Sequence, residues 1–477
     1  MRSPQLVLEN LQRHSQDSEY RYQRLYRNLY NHDFFLLAYQ NVYANKGAMT
    51  PGIDGLTLDG YGVDRVERII QSIKDHSYQP RPVRRQHIEK KNSSKKRPLG
   101  IPSADDKLVQ EVVRLLLESI YEPTFSNYSH GFRPDRSCHT ALMQIQHNFT
   151  GVKWFIEGDI KSYFDTIDHH ILVNILRRRI ADESFIELMW KFLKAGYMED
   201  WQYNATFSGT PQGSGISPIL ANLYLNELDS YIAEYKSNFD TGECRAYSKE
   251  YGKLQSRYQR YKDKCKKQWP DMSKEERKTA LDEQKRLRKE YQKVDSHEAV
   301  DIGYRKLQYV RYADDWLIGV IGSKADVQAI KDNISAFLSD RLKLALSKEK
   351  TLITHGQSKA RFLGYDITIS SDKSTKRTSR GQCRVYSGVV KLYLPKEKWI
   401  GKLLEYGVLK IMLDEQGKEK WIPLQRDDYM YLAPHEIVVK YNIPIRGIYN
   451  YYRLASNVSA LNTFSYVMEY SMYQTFA

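Results

Sequence analysis

Apolar positions return every three or four residues through DDKLVQEVVRLLLESIY (105–121), behind two acids that favour a helix N-terminus, so a helix is predicted there. WFIEGDIKSYFDTIDHHIL (154–172) reads as a strand running into a helix, and TFSGTPQGSGISPILANLYLNELDSYIAEY (206–235) as a Gly/Pro-rich loop followed by an amphipathic helix. In YVRYADDWLIG (309–319), β-branched and aromatic runs flank a four-residue break, which predicts a hairpin with Asp314 and Asp315 at its tip. Residues 1–80 have helical spacing, interrupted by the loop NKGAMTPGIDGL (45–56). In RPVRRQHIEKKNSSKKR (81–97), a strand at Gln86–Glu89 precedes a basic loop at Lys90–Arg97.

Residues 236–300 are rich in Lys, Glu, Gln and Arg and poor in aliphatics, which predicts an exposed helical pair broken at Pro270. A helix is expected over 323–346, then strand pieces in SKEKTLITH and KARFLGYDITIS. The basic 371–384 stretch reads as a linker, and the last hundred residues as mainly helical. No fixed-period repeat is present.

The length of 477 residues calls for two to four domains, and 41% apolar residues suffice for a sizeable core. A net charge of +15 and a pI near 9.2 point to a polyanionic partner, nucleic acid first and an anionic membrane surface second. Mean hydropathy of −0.63 and the lack of an 18-residue apolar run argue against a membrane-spanning helix. MRSPQLVLENLQRHSQ has no secretory apolar core, and the four cysteines form no CxxC pair. A soluble, intracellular, nucleic-acid-associated protein is expected.

Against that background the acids matter. Asp159 ends the apolar strand WFIEGD, with Asp165 and Asp168 further on, and Asp314 lies 155 residues beyond it. Mg²⁺ takes a few carboxylates plus substrate phosphates. Two such ions roughly 3.5–4 Å apart activate a 3′-hydroxyl and steady a departing pyrophosphate. That chemistry needs clustered acids in a basic field. An isolated Asp-Asp pair is otherwise an ordinary polar turn.

NKGAMTPGIDG, KKNSSKKRPLGIP, SHGFRPDRSCHTAL, EGDIKSYFDTIDH, SGTPQGSGISPILANLYLNELD, YVRYADDWLIG, LKLALSKEKTLITH, ARFLGYDI and YNIPIRGIYNYYRLASN occur in that order. Through them the chain resembles, along practically its whole length, the reverse transcriptases (maturases) encoded by bacterial and organellar group II introns. The resemblance implies an α+β right-hand polymerase, with fingers, a palm built on an antiparallel sheet, and a helical thumb called domain X. The expected division is an N-terminal extension (1–80), fingers and palm (81–235), a charged helical insertion (236–300), the rest of the palm (301–370), a basic linker (371–385) and the thumb (386–477).

By matching motif positions, Asp159, Asp314 and Asp315 are the implied catalytic acids. Asp159, Asp314 and the Ile160 carbonyl are the implied ligands of two Mg²⁺ ions, with Mn²⁺ as a substitute. Lys95 and Arg97 would neutralise the triphosphate. The Phe164 ring would exclude a ribose 2′-hydroxyl, its plain alternative being core packing. Gln212 would contact the template strand or incoming nucleotide. Lys350 is a candidate proton donor to pyrophosphate, or a surface residue. Arg446, Tyr451 and Arg453 are RNA-binding candidates, Tyr451 equally a thumb-core residue.

Two departures stand out: PQGSGISP where the family usually has PQGG-x-x-SP, with Ser214 at the second glycine, and DIKS for DIKG. Many relatives continue into a DNA-binding segment and a zinc-dependent HNH endonuclease, so second-strand DNA cleavage is not expected of these residues. The implied partners are group II intron RNA, a DNA target or primer and dNTPs, with no membrane and an open oligomeric state. The implied location is the bacterial cytoplasm, at the nucleoid, or an organelle. The implied function is RNA-directed DNA synthesis by target-primed reverse transcription, joined to binding of the parent intron to promote splicing. A splicing-only protein on a relic polymerase fold is the alternative, and a retron or diversity-generating lineage a third.

Overall fold

A computed structural model describes residues 2–89, 96–199, 202–206, 208–210, 213–298, 301, 303–372, 374–378, 381–384 and 387–477, with Lys46, 375–378 and 381–384 described by backbone alone. Its centre is a four-stranded antiparallel sheet in the order Lys306–Tyr312, Asp315–Ile321, Trp154–Gly158, Leu352–His355. Successive residues point to opposite faces, and both faces are covered. Ile156, Trp316 and Ile318 enter the main core, whereas Phe155, Leu317 and Ile321 enter a second core shared with the C-terminal region. A sheet buried on both sides explains the unbroken apolar run WLIGVI. The helix Lys324–Leu342 packs on this sheet, with buried Val327, Ile330, Ile334 and Leu338.

A second sheet, ordered Lys96–Ile101, Val83–Glu89, Tyr197–Glu199, Gln202–Asn204, lies in the stretch expected as fingers and palm. It leads into the helix Ala104–Tyr121, whose N-terminus is capped by Ser103 as Asp105 and Asp106 suggested. The helices Pro4–His14 and His32–Tyr43 pack on that helix, Val63–Lys74 packs in turn on His32–Tyr43, and all three share its core. Polar ties reinforce the union: Tyr61 Oη donates to Asp105 (2.7 Å), and Tyr78 Oη and Ser103 Oγ donate to buried Asp106 (2.5 and 2.7 Å).

The charged insertion is the expected helical pair, Lys249–Gln268 and Lys274–Gln292, with Pro270 in the turn between them. Single bridges, Tyr247↔His297 and Thr241↔Arg305, close its base. The stretch expected as a linker instead contains paired strands, Thr375–Thr378 and Gly381–Arg384. The C-terminal region holds helices Lys396–Glu405, Pro434–Tyr452 and Ala460–Phe476, as expected, and also a hairpin, Leu409–Leu413 with Glu419–Pro423, that the helical expectation overrode. Its turn is organised by Asp414, whose carboxylate accepts from the Gln416 and Lys418 N–H groups. No described helix is long and apolar enough to cross a membrane.

Candidate active site at the end of the central sheet

The hairpin that carries Asp314 and Asp315 is tighter than the sequence suggested. Tyr312 pairs with Asp315, so only Ala313 and Asp314 form the tip, and Ala313 takes a left-handed φ of 56°. Behind the tip lies Gly131, where a Cβ would stand 2.3 Å from the Ala313 nitrogen; only glycine permits that approach. Below it Arg311 is fully buried. Its guanidinium donates to both Asp229 oxygens (2.8 and 2.6 Å), to Asn222 Oδ1 (3.1 Å) and to the Ala313 carbonyl (2.9 Å). Tyr309 Oη donates to the same Asp229 (2.8 Å), and Asn222 Nδ2 to the Gly131 carbonyl (2.7 Å). The turn is therefore held by the helix Ser217–Phe239, through residues that the motif reading passed over.

Asp159 follows Gly158, which pairs with Trp316. The chain continuing past that pair carries Asp159 to the Asp315 side of the hairpin, close enough for its charge to act on the Asp315 carboxyl. Lys350 Nζ sits on both Asp159 oxygens, at 3.0 and 2.9 Å. Burial, then the Asp159 charge, raises the Asp314 pKa, with Arg97 and Lys350 pulling it back. The side chain of Asp315 borders solvent, yet protein crowds its carboxyl; burial, then Asp314 and Asp159, pushes it up to about 7. Lys350 is raised by its bond to Asp159 and stays protonated.

Three acids gathered this way repel one another, and a cation is what relieves them. Their hard oxygens suit a divalent ion, and the Lys350 ammonium already occupies the Asp159 side of the cluster. Among the described residues no three side chains by themselves form an ion cage. A site that takes the rest of its shell from substrate phosphate and water needs no such cage. The bridge of Ile160 to Leu346 uses the Asp159 carbonyl and the Lys161 N–H, leaving the Ile160 carbonyl outside it.

Phe164 lies in the short helix Tyr163–Thr166, buried, with its ring edge-on to Phe132 (6.4 Å between centroids). It belongs to the core rim and faces an open cavity of about 450 Å³. Arg97 is on the fingers strand Lys96–Ile101; Lys95 and Gln212 lie outside the described residues. Asp168 is not part of the cluster: it caps the helix His169–Arg179 and pairs with Lys343 (2.8 Å). Arg446 and Arg453 are exposed on the thumb, apart from the acids. Tyr451 sits at the palm–thumb seam, where its Oη donates to the Leu363 carbonyl and its carbonyl accepts from His139 Nε2.

His130 buttresses the tip from the other side. Its N–H donates to the Arg311 carbonyl (2.9 Å), and its ring bonds Thr140 and Gln144. Burial lowers its pKa, and likewise that of His169. A histidine with a depressed folded-state pKa contributes stability above its unfolded pKa of 6.5 and loses it as pH falls further. Between pH 7.5 and 5.5 protonation of Asp315 works the other way and stabilises the fold, so His130→Gln is expected to shift the thermal midpoint at pH 5.5 upward relative to its value at pH 7.5, compared with the wild type; an identical pH profile in the variant would exclude His130 as a contributor.

Residues 88–264 match the reverse transcriptase (RNA-dependent DNA polymerase) family and residues 387–477 the type II intron maturase family. The chain is 45% identical over 478 residues to the group II intron-encoded protein LtrA of Lactococcus lactis subsp. cremoris, covering 100% of this chain and 78% of LtrA. It is 41% identical to an uncharacterized 91 kDa protein in the cob intron of Schizosaccharomyces pombe (92% of this chain, 52% of that protein), and 34% identical to protein YkfC of Escherichia coli K12 (80% and 90%). With a reverse transcriptase match, a maturase match and a 45% identical relative aligned along the whole of this chain, the chain belongs to the group II intron-encoded proteins, reverse transcriptases that carry an intron maturase domain.

Proposed function

We propose that this reverse transcriptase joins nucleotides at Asp159, Asp314 and Asp315, and that these acids would hold two Mg²⁺ ions, or Mn²⁺ in their place. The observation that supports it is the meeting of Asp159 with the Asp314–Asp315 tip at one edge of a rigid sheet, charged cluster and lysine included. When bound, the ions supply activation of the primer 3′-hydroxyl and charge balance on pyrophosphate. The Asp159 and Asp314 carboxylates and the Ile160 carbonyl offer the oxygens. Arg97, with Lys95, holds the triphosphate; Phe164 lies under the sugar; Gln212 faces the template or nucleotide. Lys350 is protonated beside the acids, the state a donor to pyrophosphate needs.

The same chain binds its parent intron RNA to promote splicing, with a DNA target strand as primer for copying, in the bacterial cytoplasm or an organelle. The N-terminal helices, the charged arm and the exposed Arg446 and Arg453 of the thumb are the candidate RNA faces. A splicing-only protein is disfavoured because every acid of the cluster is present and supported from behind.

Primer extension on an RNA template with dNTPs and Mg²⁺, alongside a splicing assay on intron RNA, tests both functions. DNA product and accelerated splicing are expected; splicing without DNA product would leave the splicing-only reading. Phe164→Val is expected to raise ribonucleotide incorporation relative to dNTP by about ten- to hundredfold, since the discrimination is steric. Unchanged selectivity would return Phe164 to core packing. Intron RNA affinity is expected to fall linearly in log[salt], by about 10³ or more between 50 and 200 mM for six or more phosphate contacts; a flat response would exclude a phosphate-dominated interface.

A further inference from the structure

The loop Gly213–Gly215 joins Gln212 to the helix Ser217–Phe239 and touches the fingers at two points. Gly213 has φ of 106°, and a Cβ there would stand 2.6 Å from the Gly100 carbonyl on the strand that carries Arg97. One residue on, the Ser214 hydroxyl donates to Gln110 Oε1 (2.9 Å), and the Gly215 N–H donates to the same oxygen (3.0 Å). Gln110 belongs to the helix Ala104–Tyr121 and is 4% exposed; Ser214 is 5% exposed. Two donors on one buried acceptor are costly to lose, because each would be left unsatisfied away from water.

We infer that Gln110 is a positioning residue for nucleotide selection, tying the loop through Ser214 and Gly215 to the fingers, where Gly213 lies against the strand that carries Arg97. This rests on the polymerase function proposed above and adds to it. A second glycine at position 214 has no side chain to bind Gln110. Here the hydroxyl supplies a side-chain tether, while Gly213 alone meets the demand for positive φ. The fingers helix and the loop then move as one piece, so nucleotide affinity is more sensitive to this contact than the chemical step is.

Single-nucleotide incorporation on an RNA template with Gln110→Leu, Ser214→Ala and the double variant tests this. The dNTP KM of Gln110→Leu is expected to rise about tenfold, with kcat changed by about twofold or less. The double variant is expected to match Gln110→Leu, because that change alone already removes the contact that Ser214→Ala removes. An unchanged KM, or losses that multiply in the double variant, would overturn the assignment. Amide exchange at Gly215 reads the tether without turnover. Faster exchange in Gln110→Leu, with the helix Ala104–Tyr121 still protected, is expected; unchanged protection overturns the inference. Absence of DNA product from wild type with Gly215 protected through Gln110 would count against polymerase function while leaving the tether itself established.

Discussion

Asp314→Asn is expected to abolish DNA synthesis while leaving the protein folded and at least as stable. A neutral amide keeps the shape of the tip but removes the charge that draws a divalent ion. A loss of about 10³-fold or more in primer extension corresponds to roughly 4 kcal/mol of transition-state stabilisation. Stability should move the other way. In the metal-free protein Asp314 is a partly buried carboxylate beside Asp159 and Asp315, and burial and like charge both disfavour its ionised form. Removing such strain commonly gains about 0.5–2 kcal/mol. Primer extension and thermal unfolding on one preparation decide the matter. Retained synthesis would remove Asp314 from catalysis, and a lower midpoint would make it a structural residue.

The second large effect lies behind the tip. Asp229→Ala is expected to cost about 3–5 kcal/mol of folding stability, because it strands the Arg311 guanidinium, 0% exposed, without a counter-charge. Arg311→Met should be costly too, leaving Asp229 with Tyr309 alone. The double replacement Arg311→Met with Asp229→Leu is expected to cost less than either single change, since no buried charge remains. Synthesis should still fall in the double variant, for the Ala313 carbonyl then loses its donor and the tip its register. Urea unfolding with single-turnover extension reads both quantities. Additive losses would mean that the two residues act separately.

These buttresses show where a sequence stops being readable. Asp159 and Asp314 were legible because each lies within a contiguous block whose local chemistry is unusual. Asp229, Asn222 and Arg311 were quoted within such blocks, yet their pairing spans 82 and 89 residues. A charged residue on an amphipathic helix reads as solvent-facing until the fold buries it. Ser214 stood out as a departure, but its acceptor, Gln110, is 104 residues away on a helix that read as ordinary core. The hairpin Leu409–Pro423 did carry a local signal, alternation around an Asp-x-x-Gly turn, which the helical expectation for the thumb outweighed. Phe132 gave no sign of its place against Phe164, since its left-handed φ of 58° belongs to a loop without periodicity.

The charged arm leaves and re-enters the palm through a doorway framed by Thr241 against Arg305 and by Arg245, which donates to the Gly151 carbonyl, with Lys236 Nζ bonded to the Leu307 carbonyl just inside. Such an element is a pendant: its length can drift across generations, or be cut and replaced by other hardware, without re-threading the sheet. The returning chain, however, becomes the very strand that ends at Asp314. A tug on the pendant is thus delivered to the hairpin that carries Asp314 and Asp315 unless the doorway absorbs it, which makes that latch the natural place to graft a mechanical or ligand-driven control over DNA synthesis.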